Sequence, residues 1–434
     1  MKKYTIAVVG LWHLGEIFSA GLADLGHTVI GIDSDKKIVA NFQKGIPPLA
    51  ERGLADLIKK NTDKKRLSFS AKLEELKNCD IVWLAFDTPV TKHDEVDLKP
   101  IWDFFKLAIP LFKQNSLIAI SSQIPVGSCQ KIQKFINEKR PKLAFDLAYV
   151  PENLQLGQAV KSFFEPKKIV VGAAKKTVIK KIEEIFAPLH TVILPMKIAS
   201  AELSKHALNS FLATSLSFIY DIADVAKAYG ADIVEVTRAL RSDERIGQKA
   251  YLDASIGFSG GTLARDLRIL LKKADEVQID LPVISGVFKK NKVRRDLAVK
   301  YLTEHLGSLQ GKKIAVFGFT YKSGTATLRR ALALEIIPKL LTAGAIVRVH
   351  DPMADPEEVK KALSVKFFAN PYNCAKDCHA VMIITNWLEF KKLNLKKLKL
   401  CLKSPFLFFD TRNFFYDQEK SIRRVGFTYI GIGH

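Results

Sequence analysis

The chain alternates short apolar runs with segments in which apolar residues recur every three or four positions. Apolar runs of strand length occupy residues 5–10 (TIAVVG), 28–33 (TVIGID), 79–86 (CDIVWLAF) and 115–122 (NSLIAISS). Residues 15–26 (GEIFSAGLADLG) have helical spacing between the first two runs. Strands that alternate with helices in this way predict a parallel sheet with crossover helices.

From about Ile198 to Tyr229 the pattern is wholly helical, which predicts one long helix that connects domains and serves as a packing spine. The strand–helix alternation then recurs in 312–324 (KKIAVFGFTYKSG), 331–344 (ALALEIIPKLLTAG), 346–352 (IVRVHDP), 380–387 (AVMIITNW) and 407–413 (LFFDTRN). We therefore predict an α/β fold: two Rossmann-like domains with parallel sheets, joined by a central helical domain that contains the spine helix. The predicted boundaries are 1–198, 199–300 and 301–434, with one ligand on each α/β domain and the chemistry between them.

The first strand runs into a glycine turn, VVGLWHLG, that opens the first helix. Gly10 and Gly15 occupy the outer positions of a G-x-G-x-x-G turn, and Asp33 ends the next strand, where a carboxylate would hold a ribose diol. Trp12 stands at the middle glycine, a position that normally lacks a side chain so that the backbone can approach a diphosphate. The turn alone leaves two interpretations open, a dinucleotide site and a related domain that no longer binds one.

Composition and charge narrow the class of protein. The 434 residues are 48% hydrophobic and 26% charged, and 67 basic against 45 acidic residues give a net charge of +22, which favours anionic partners such as nucleotides. The basic residues are scattered in pairs, so we expect no nucleic-acid surface. We also expect no metal site, because no second cysteine pair joins Cys374 and Cys378. Without a long apolar run or a signal peptide, we expect a cytoplasmic protein with no membrane partner.

An ordered series of motifs resembles the UDP-glucose/GDP-mannose dehydrogenases, which oxidise a nucleotide sugar with NAD. The motifs that carry the resemblance are GIPPLAERGLADLI (45–58), DTPVTKHDEVDL (87–98), SSQIPVGS (121–128), YVPENLQLGQAV (149–160), PKKIVVG (166–172), SAELSKHALNSFLA (200–213), SDERIG (242–247), GFSGGTLARD (257–266), GFTYKSGTATLRRA (318–331) and DTRN (410–413). They span nearly the whole chain in the family's order and spacing.

The resemblance implies NAD on the first domain, a UDP-sugar or related nucleotide sugar on the last, and a homodimer through the central helix, residues 200–229. It implies that the catalytic residues are Thr262, Glu152, Lys205, Asn209 and Asp266. It implies cofactor contacts from Gly10, Trp12, His13, Leu14, Gly15, Asp33, Thr88, Pro89, Gln123 and Arg329. It implies substrate contacts from Glu152, Leu154, Lys205, Asn209, Arg245, Gly257, Phe258, Ser259, Gly260, Gly261, Tyr321, Lys322 and Arg412.

Each side chain suits the role that the resemblance gives it. Glu152 would act as a general base on the water that releases product. Lys205 and Asn209, one helical turn apart, would both reach a developing oxyanion. Lys322 and Arg329 suit anionic phosphates. Arg245 would reach the sugar of a neighbouring subunit, and Asp266 would order water near Glu152 and Lys205.

The departures from the family pattern concentrate in the chemistry of the second oxidation and in the cofactor turn. Thr262 occupies the position of the cysteine whose thiolate attacks the aldehyde, and an alcohol is a weak nucleophile without a strong base beside it. The remaining departures are Trp12, Ser121, Gln123, Gln155, Leu156, Arg265, Ala326 and Thr327.

Three functions follow from these departures. The first is an NAD-dependent oxidoreductase with altered chemistry, which stops at the aldehyde, oxidises the hydrated aldehyde with Glu152 activating water, or inverts a carbon as an epimerase. The second is a non-catalytic nucleotide-sugar-binding relative. The third is a full dehydrogenase in which Thr262 slowly forms an ester intermediate.

Overall fold

The computed structural model describes residues 2–49, 51–88, 96–152, 154, 157–259 and 261–434. The described chain divides into two compact units, Met1–Ala207 and Leu208–His434. Within the described ranges, no helix has the length and apolar character needed to cross a membrane.

The first unit is built on an eight-stranded sheet in the order β3-β2-β1-β4-β5-β6-β7-β8. Its strands are β1 Thr5–Val9, β2 Thr28–Ile32, β3 Leu67–Ser70, β4 Ile81–Leu84, β5 Ser116–Ile120, β6 Phe145–Tyr149, β7 Lys168–Ala173 and β8 Val192–Met196. Its helices are α1 His13–Asp24, α2 Lys36–Gln43, α3 Leu54–Asp63, α4 Lys99–Ala108, α5 Ser128–Lys139, α6 Ala159–Phe164 and α7 Lys176–Phe186.

Both faces of this sheet are buried, as a parallel sheet with crossover helices requires. On β1, Ile6 and Val8 pack into one apolar cluster, whereas the alternate residues Ala7 and Val9 pack into another. Burial on both faces explains why strands such as TIAVV are apolar at every position. This sheet, covered on both faces, confirms the predicted α/β class.

The sequence pattern missed one feature of the first sheet: β7 runs antiparallel to β6, and β8 runs parallel to β7. The helix between β6 and β7, α6, has only six residues, about 9 Å of helix. A strand of five residues such as β6 is about 17 Å long. The short helix therefore does not carry the chain back along a whole strand, and the next strand returns in the opposite direction.

Helix α8 extends from Ile198 to Tyr229, the two ends that the sequence pattern predicts. Near its start it approaches β7 closely, because a Cβ on Gly172 would lie 2.6 Å from the Cβ of Ala201. It ends at a left-handed glycine: Gly230 has φ +69°, and the amide of Ala231 returns to the carbonyl of Ala226. This is a Schellman ending, in which glycine avoids the strain of a positive φ.

The second unit contains a helical part followed by a six-stranded parallel sheet in the order β11-β10-β9-β12-β13-β14. Its helices after α8 are α9 Ile233–Ser242, α10 Leu263–Asp275, α11 Pro282–Val293, α12 Leu297–Leu306, α13 Ala333–Thr342, α14 Pro356–Ala362, α15 Pro371–Ala375, α16 Leu395–Cys401 and α17 Glu419–Val425. Its strands are β9 Lys313–Phe317, β10 Ile346–His350, β11 Lys366–Phe367, β12 Cys378–Ile383, β13 Leu402–Asp410 and β14 Thr428–Ile430.

Candidate functional site

The glycine turn between β1 and α1 is tightly packed. Gly10 has φ +90°, and a Cβ on Gly15 would lie 1.7 Å from the carbonyl oxygen of Gly10, so neither position has room for a side chain. Trp12 is the N-cap of α1, in an extended conformation open to any residue, and its side chain does not cap the helix. Trp12 is 40% exposed and therefore does not fill the interior of the unit. The first amides of α1 remain available for an anion.

Asp33 follows β2 and faces this turn. One carboxylate oxygen, Oδ2, accepts a hydrogen bond from the amide of Leu11 at 2.8 Å, and Oδ1 accepts one from the amide of Asp35 at 2.9 Å. A carboxylate has about four acceptor positions, so two bonds leave capacity for a ribose diol. The close glycines, the uncapped start of α1 and this carboxylate together fit a dinucleotide.

Three other residues predicted to contact the cofactor lie in the described part of the first unit, and one belongs to the second. Leu14 packs against the core of the first unit, and Thr88 and Gln123 are buried. Arg329 belongs to the second unit and is exposed. Pro89 lies outside the described residues.

Glu152 and Lys205 meet in the first unit. The Lys205 ammonium donates a hydrogen bond to the backbone carbonyl of Glu152, and its Nζ lies 3.8 Å from Oε1 of the Glu152 carboxylate. The other carboxylate oxygen, Oε2, accepts from the amide of Leu154. Lys205 is nearly buried, with 9% of its side chain exposed. The predicted base and the predicted oxyanion-binding cation are therefore neighbours, with Leu154 fixing the carboxylate.

Two other residues of α8 hold the segment that precedes α5, and neither was predicted. Glu202 accepts hydrogen bonds from the amides of Gly127 at 2.7 Å and Cys129 at 2.8 Å. His206 contacts the carbonyl oxygen of Ile124 at 2.9 Å. The sequence feature that could have indicated Glu202 is its position within the SAELSK motif. A carboxylate that is buried needs hydrogen-bond donors, and here backbone amides provide them.

Asn209 and Asp266 form a buried pair in the second unit. The Asn209 amide donates to Oδ2 of Asp266, and both side chains are nearly inaccessible to solvent. Thr262 is the N-cap of α10, and its carbonyl accepts from the amide of Asp266 at 3.1 Å. Thr262 and Asp266 are thus one helical turn apart, and the threonine hydroxyl does not cap α10.

The loop before α10 is braced by two buried polar side chains of the helical part. Gly257 has φ +115°, and a Cβ there would lie 3.0 Å from both Asn291 and Arg295. Asn291 accepts from the Phe258 amide at 2.9 Å and donates to the Phe258 carbonyl at 3.1 Å, and Arg295 donates to the same carbonyl. Ser259 is half-buried, and Gly260 lies outside the described residues. These braces were not predicted, because nothing local links residues more than thirty positions apart.

Tyr321 lies against this loop. A Cβ on Gly261 would be 3.0 Å from the Tyr321 ring, so glycine allows the ring to approach. Burial lowers the pKa of the Arg412 guanidinium, although Tyr220, Asp410 and Tyr321 act in the opposite direction. Arg412 also donates to the carbonyl of Ile384 at 2.6 Å. The structure therefore brings Gly261, Tyr321 and Arg412 into one region. Lys322, which follows Tyr321 in the sequence, is half-buried.

Arg245 stands apart from the other predicted residues. Its side chain is 89% exposed and pairs with Asp243, with 2.7 Å between Nη2 and Oδ2. No cysteine falls between residues 257 and 266, and the thiols of Cys129 and Cys374 are buried, which raises their pKa. The described part of the loop therefore holds a threonine alcohol and no thiol.

Three domain models of one protein family match this chain along most of its length. The NAD binding domain of the UDP-glucose/GDP-mannose dehydrogenase family matches residues 4–190, its central domain matches 199–293, and its UDP binding domain matches 315–417. The first match confirms the prediction of NAD as cofactor.

Curated and solved relatives cover the chain almost completely. UDP-glucose 6-dehydrogenase TuaD of Bacillus subtilis is 33% identical, over 100% of this chain and 93% of its own length. UDP-glucose 6-dehydrogenase of Rickettsia prowazekii is 32% identical, over 99% of both chains. The structure of a UDP-glucose dehydrogenase from the archaeon Pyrobaculum islandicum superposes with a TM-score of 0.90 at 28% identity, over 100% of this chain and 98% of that one. The chain therefore belongs to the UDP-glucose/GDP-mannose dehydrogenase family.

Proposed function

We propose that this chain is an NAD-dependent UDP-sugar dehydrogenase that oxidises the primary hydroxyl of the hexose to the aldehyde and is impaired in the second oxidation. Relatives of similar length are UDP-glucose 6-dehydrogenases. The observation that supports the proposal most is the buried Asn209–Asp266 pair one turn from Thr262, because polar residues that the resemblance makes catalytic are paired there, while the position of the nucleophile holds an alcohol.

The first oxidation needs a group that stabilises the alkoxide and a group that takes the hydroxyl proton. NAD would be held at the Gly10–Gly15 turn with Asp33 towards its ribose, and it would supply the acceptor for the hydride of the carbinol carbon. We assign alkoxide stabilisation to Lys205, whose nearly buried ammonium is worth more than an exposed one because little water screens it. The Glu152 carboxylate, 3.8 Å from that ammonium, takes the proton at Oε1. Asn209, one turn further along α8 and fixed by Asp266, donates a second hydrogen bond to the oxyanion.

The second oxidation needs a nucleophile that adds to the aldehyde, and Thr262 is poorly suited to it. A hydroxyl attacks efficiently only when a base removes its proton. Among the described residues, no imidazole, amine or carboxylate forms a hydrogen bond with the Thr262 hydroxyl. The methyl group on its Cβ also restricts the side chain. Each feature slows ester formation, so the aldehyde accumulates.

The nucleotide half of the substrate is assigned to the second unit. Tyr321, Lys322 and Arg412 would supply an aromatic ring and two cations to the nucleotide. The family matches support the three-domain division at 1–198, 199–300 and 301–434.

We further propose a homodimer through α8. Leu208, Phe211, Phe218, Val225 and Tyr229 are all exposed, and their spacing of three, seven, seven and four residues follows the seam of a coiled coil. The seam suits a second copy of the same helix. In such a dimer the exposed Arg245 would reach the partner's sugar, which agrees with its pairing only with Asp243 among the described residues of its own chain.

The stoichiometry of NADH per UDP-glucose tests the proposal. With NAD in excess, we expect one NADH per sugar from the parent chain and two from Thr262→Cys, because the thiolate restores the missing nucleophile. Thr262→Ser is the matched control: it removes the methyl group without adding sulfur and should remain near one.

Two results would overturn the proposal. The first is two NADH per sugar from the parent chain at the rate of Thr262→Cys. The second is no NADH from either protein while UDP-glucose still raises the melting temperature, which would indicate a binding protein.

A further inference from the structure

A single buried carboxylate links the start of α1 to the chain entering α6. Glu51 has 1% of its side chain exposed. It accepts hydrogen bonds from Nε2 of His13 at 3.1 Å, from the Gly157 amide at 2.5 Å and from the Ala159 amide at 3.2 Å. Burial opposes ionisation of Glu51, but these donors outweigh it and its pKa lies below the ordinary value. Glu51 is therefore an anion fixed beside His13.

His13 is placed to bridge this anion and a second one. It is the first residue of α1, directly after Trp12, and 21% of its side chain is exposed. Its Nε2 faces Glu51, and its Nδ1 has no partner among the described residues. A neutral imidazole has one N–H, whereas a protonated one has two. Only protonated His13 can donate to Glu51 and to a bound diphosphate simultaneously.

The ionisable groups around His13 lie on α1, across the turn and on the helices packed against α1. On its own helix the next ionisable group is Glu16, which is buried, and Asp33 lies across the turn. Arg52 follows Glu51 in sequence and is exposed. Of the helices packed on α1, α6 carries Lys161, which pairs with Glu165 just after its end. Helix α3 carries Lys60, which pairs with Asp24 at the far end of α1, together with Asp56, Lys59 and Asp63.

We propose that His13 takes up a proton when the dinucleotide binds, donating from Nε2 to Glu51 and from Nδ1 to the diphosphate. This inference rests on the proposed function, because it takes NAD as the dinucleotide whose diphosphate lies at the Gly10–Gly15 turn. Because the bound state holds an extra proton, the affinity for NAD⁺ falls as the pH rises, by at most about tenfold per pH unit. Glu51 is then a positioning residue that orients the imidazole.

Titration calorimetry of NAD⁺ into the full chain tests this directly. Binding heats at pH 7.5 in phosphate and in Tris, whose ionisation enthalpies differ, give the number of protons taken up. We expect net uptake by the parent chain. His13→Gln keeps a neutral donor toward Glu51 but cannot gain a proton. This variant should show no proton uptake on binding. Its affinity for NAD⁺ should be roughly three- to tenfold weaker than that of the parent chain at pH 6 and equal to it at pH 8.5.

Two further variants separate this role from a structural one. Glu51→Gln should reduce the uptake, because a neutral amide no longer favours the imidazolium. His190→Asn alters an exposed histidine of the same unit and should leave the uptake unchanged. Equal proton uptake by the parent and His13→Gln, or buffer-independent heats from the parent, would refute the inference while leaving NAD binding intact. Absence of NAD⁺ binding altogether would refute the proposed function as well.

Discussion

Glu16 should destabilise the first unit at neutral pH, and Glu16→Gln should remove that cost. Glu16 is fully buried on α1, with Oε2 3.4 Å from the Leu49 amide and Oε1 without a partner among the described residues. Burial raises its pKa to about 8, and the negative charge of Glu51 acts in the same direction, against the weak bond from Leu49. Glutamine has the shape of the protonated carboxyl and carries a permanent donor.

The magnitude follows from the two protonation equilibria. The carboxyl titrates at 4.5 in an unfolded chain and at about 8 in the folded unit. Between these values the unfolded state binds fewer protons, so stability falls by about 1.4 kcal/mol for each pH unit that the solution rises. At pH 7 the accumulated cost is about 3 kcal/mol, and relaxation of the site reduces it to ~1–3 kcal/mol. Above pH 8 the cost stays constant.

Thermal or urea unfolding between pH 4.5 and 8.5 measures this cost. We expect Glu16→Gln and the parent to be similar at pH 4.5, and the variant to be more stable at pH 7, by about 2–4 °C for each kcal/mol in a unit of this size. Glu138→Gln, at an exposed position of α5, is the control and should shift little. The reasoning is refuted if the gain from Glu16→Gln does not depend on pH, or if the variant is less stable than the parent at pH 8.

Three other substitutions have clear expected outcomes. Glu51→Gln should lower the free energy of unfolding at pH 7 by about 1–3 kcal/mol. Because the pKa of Glu51 is depressed in the folded chain, the difference in stability between parent and variant should shrink as the pH falls below 4.5. Urea unfolding at pH 7 and pH 3.5 would check this. Phe218→Asp should convert a dimer to monomers in analytical ultracentrifugation, whereas Leu400→Asp, at an 87% exposed position of α16, should not. Arg245→Ala should raise KM for UDP-glucose roughly tenfold with an unchanged Kd for NAD⁺; an unchanged KM would remove Arg245 from the substrate site.

The sequence predicted the elements well, because their signals are local. The helix from Ile198 to Tyr229 has uninterrupted helical spacing followed by glycine, and the glycine turn after β1 is marked by residues only five apart. The direction of β7 was missed, since periodicity does not report the orientation of a neighbouring strand.

Contacts among the candidate site residues could be anticipated from the sequence where family motifs contain both partners, and could not where the contacts connect distant segments. Asn209 and Asp266 both lie in motifs, and the structure pairs them. Glu51 has partners 38 and 106 residues away along the chain. Glu16 lies in the first turn of a helix, a position where acidic residues are ordinarily solvent-exposed, and only the packed structure shows its burial.

Identification of the product from UDP-glucose and NAD tests the central claim most directly. The nucleotide sugar is isolated after the parent chain has acted and is weighed by mass spectrometry. We expect the 6-aldehyde, lighter than UDP-glucose by two hydrogens, because no base in the described part of the chain is hydrogen-bonded to the Thr262 hydroxyl to make it a nucleophile. Exclusive recovery of the acid, which contains one more oxygen than the aldehyde, would contradict this account.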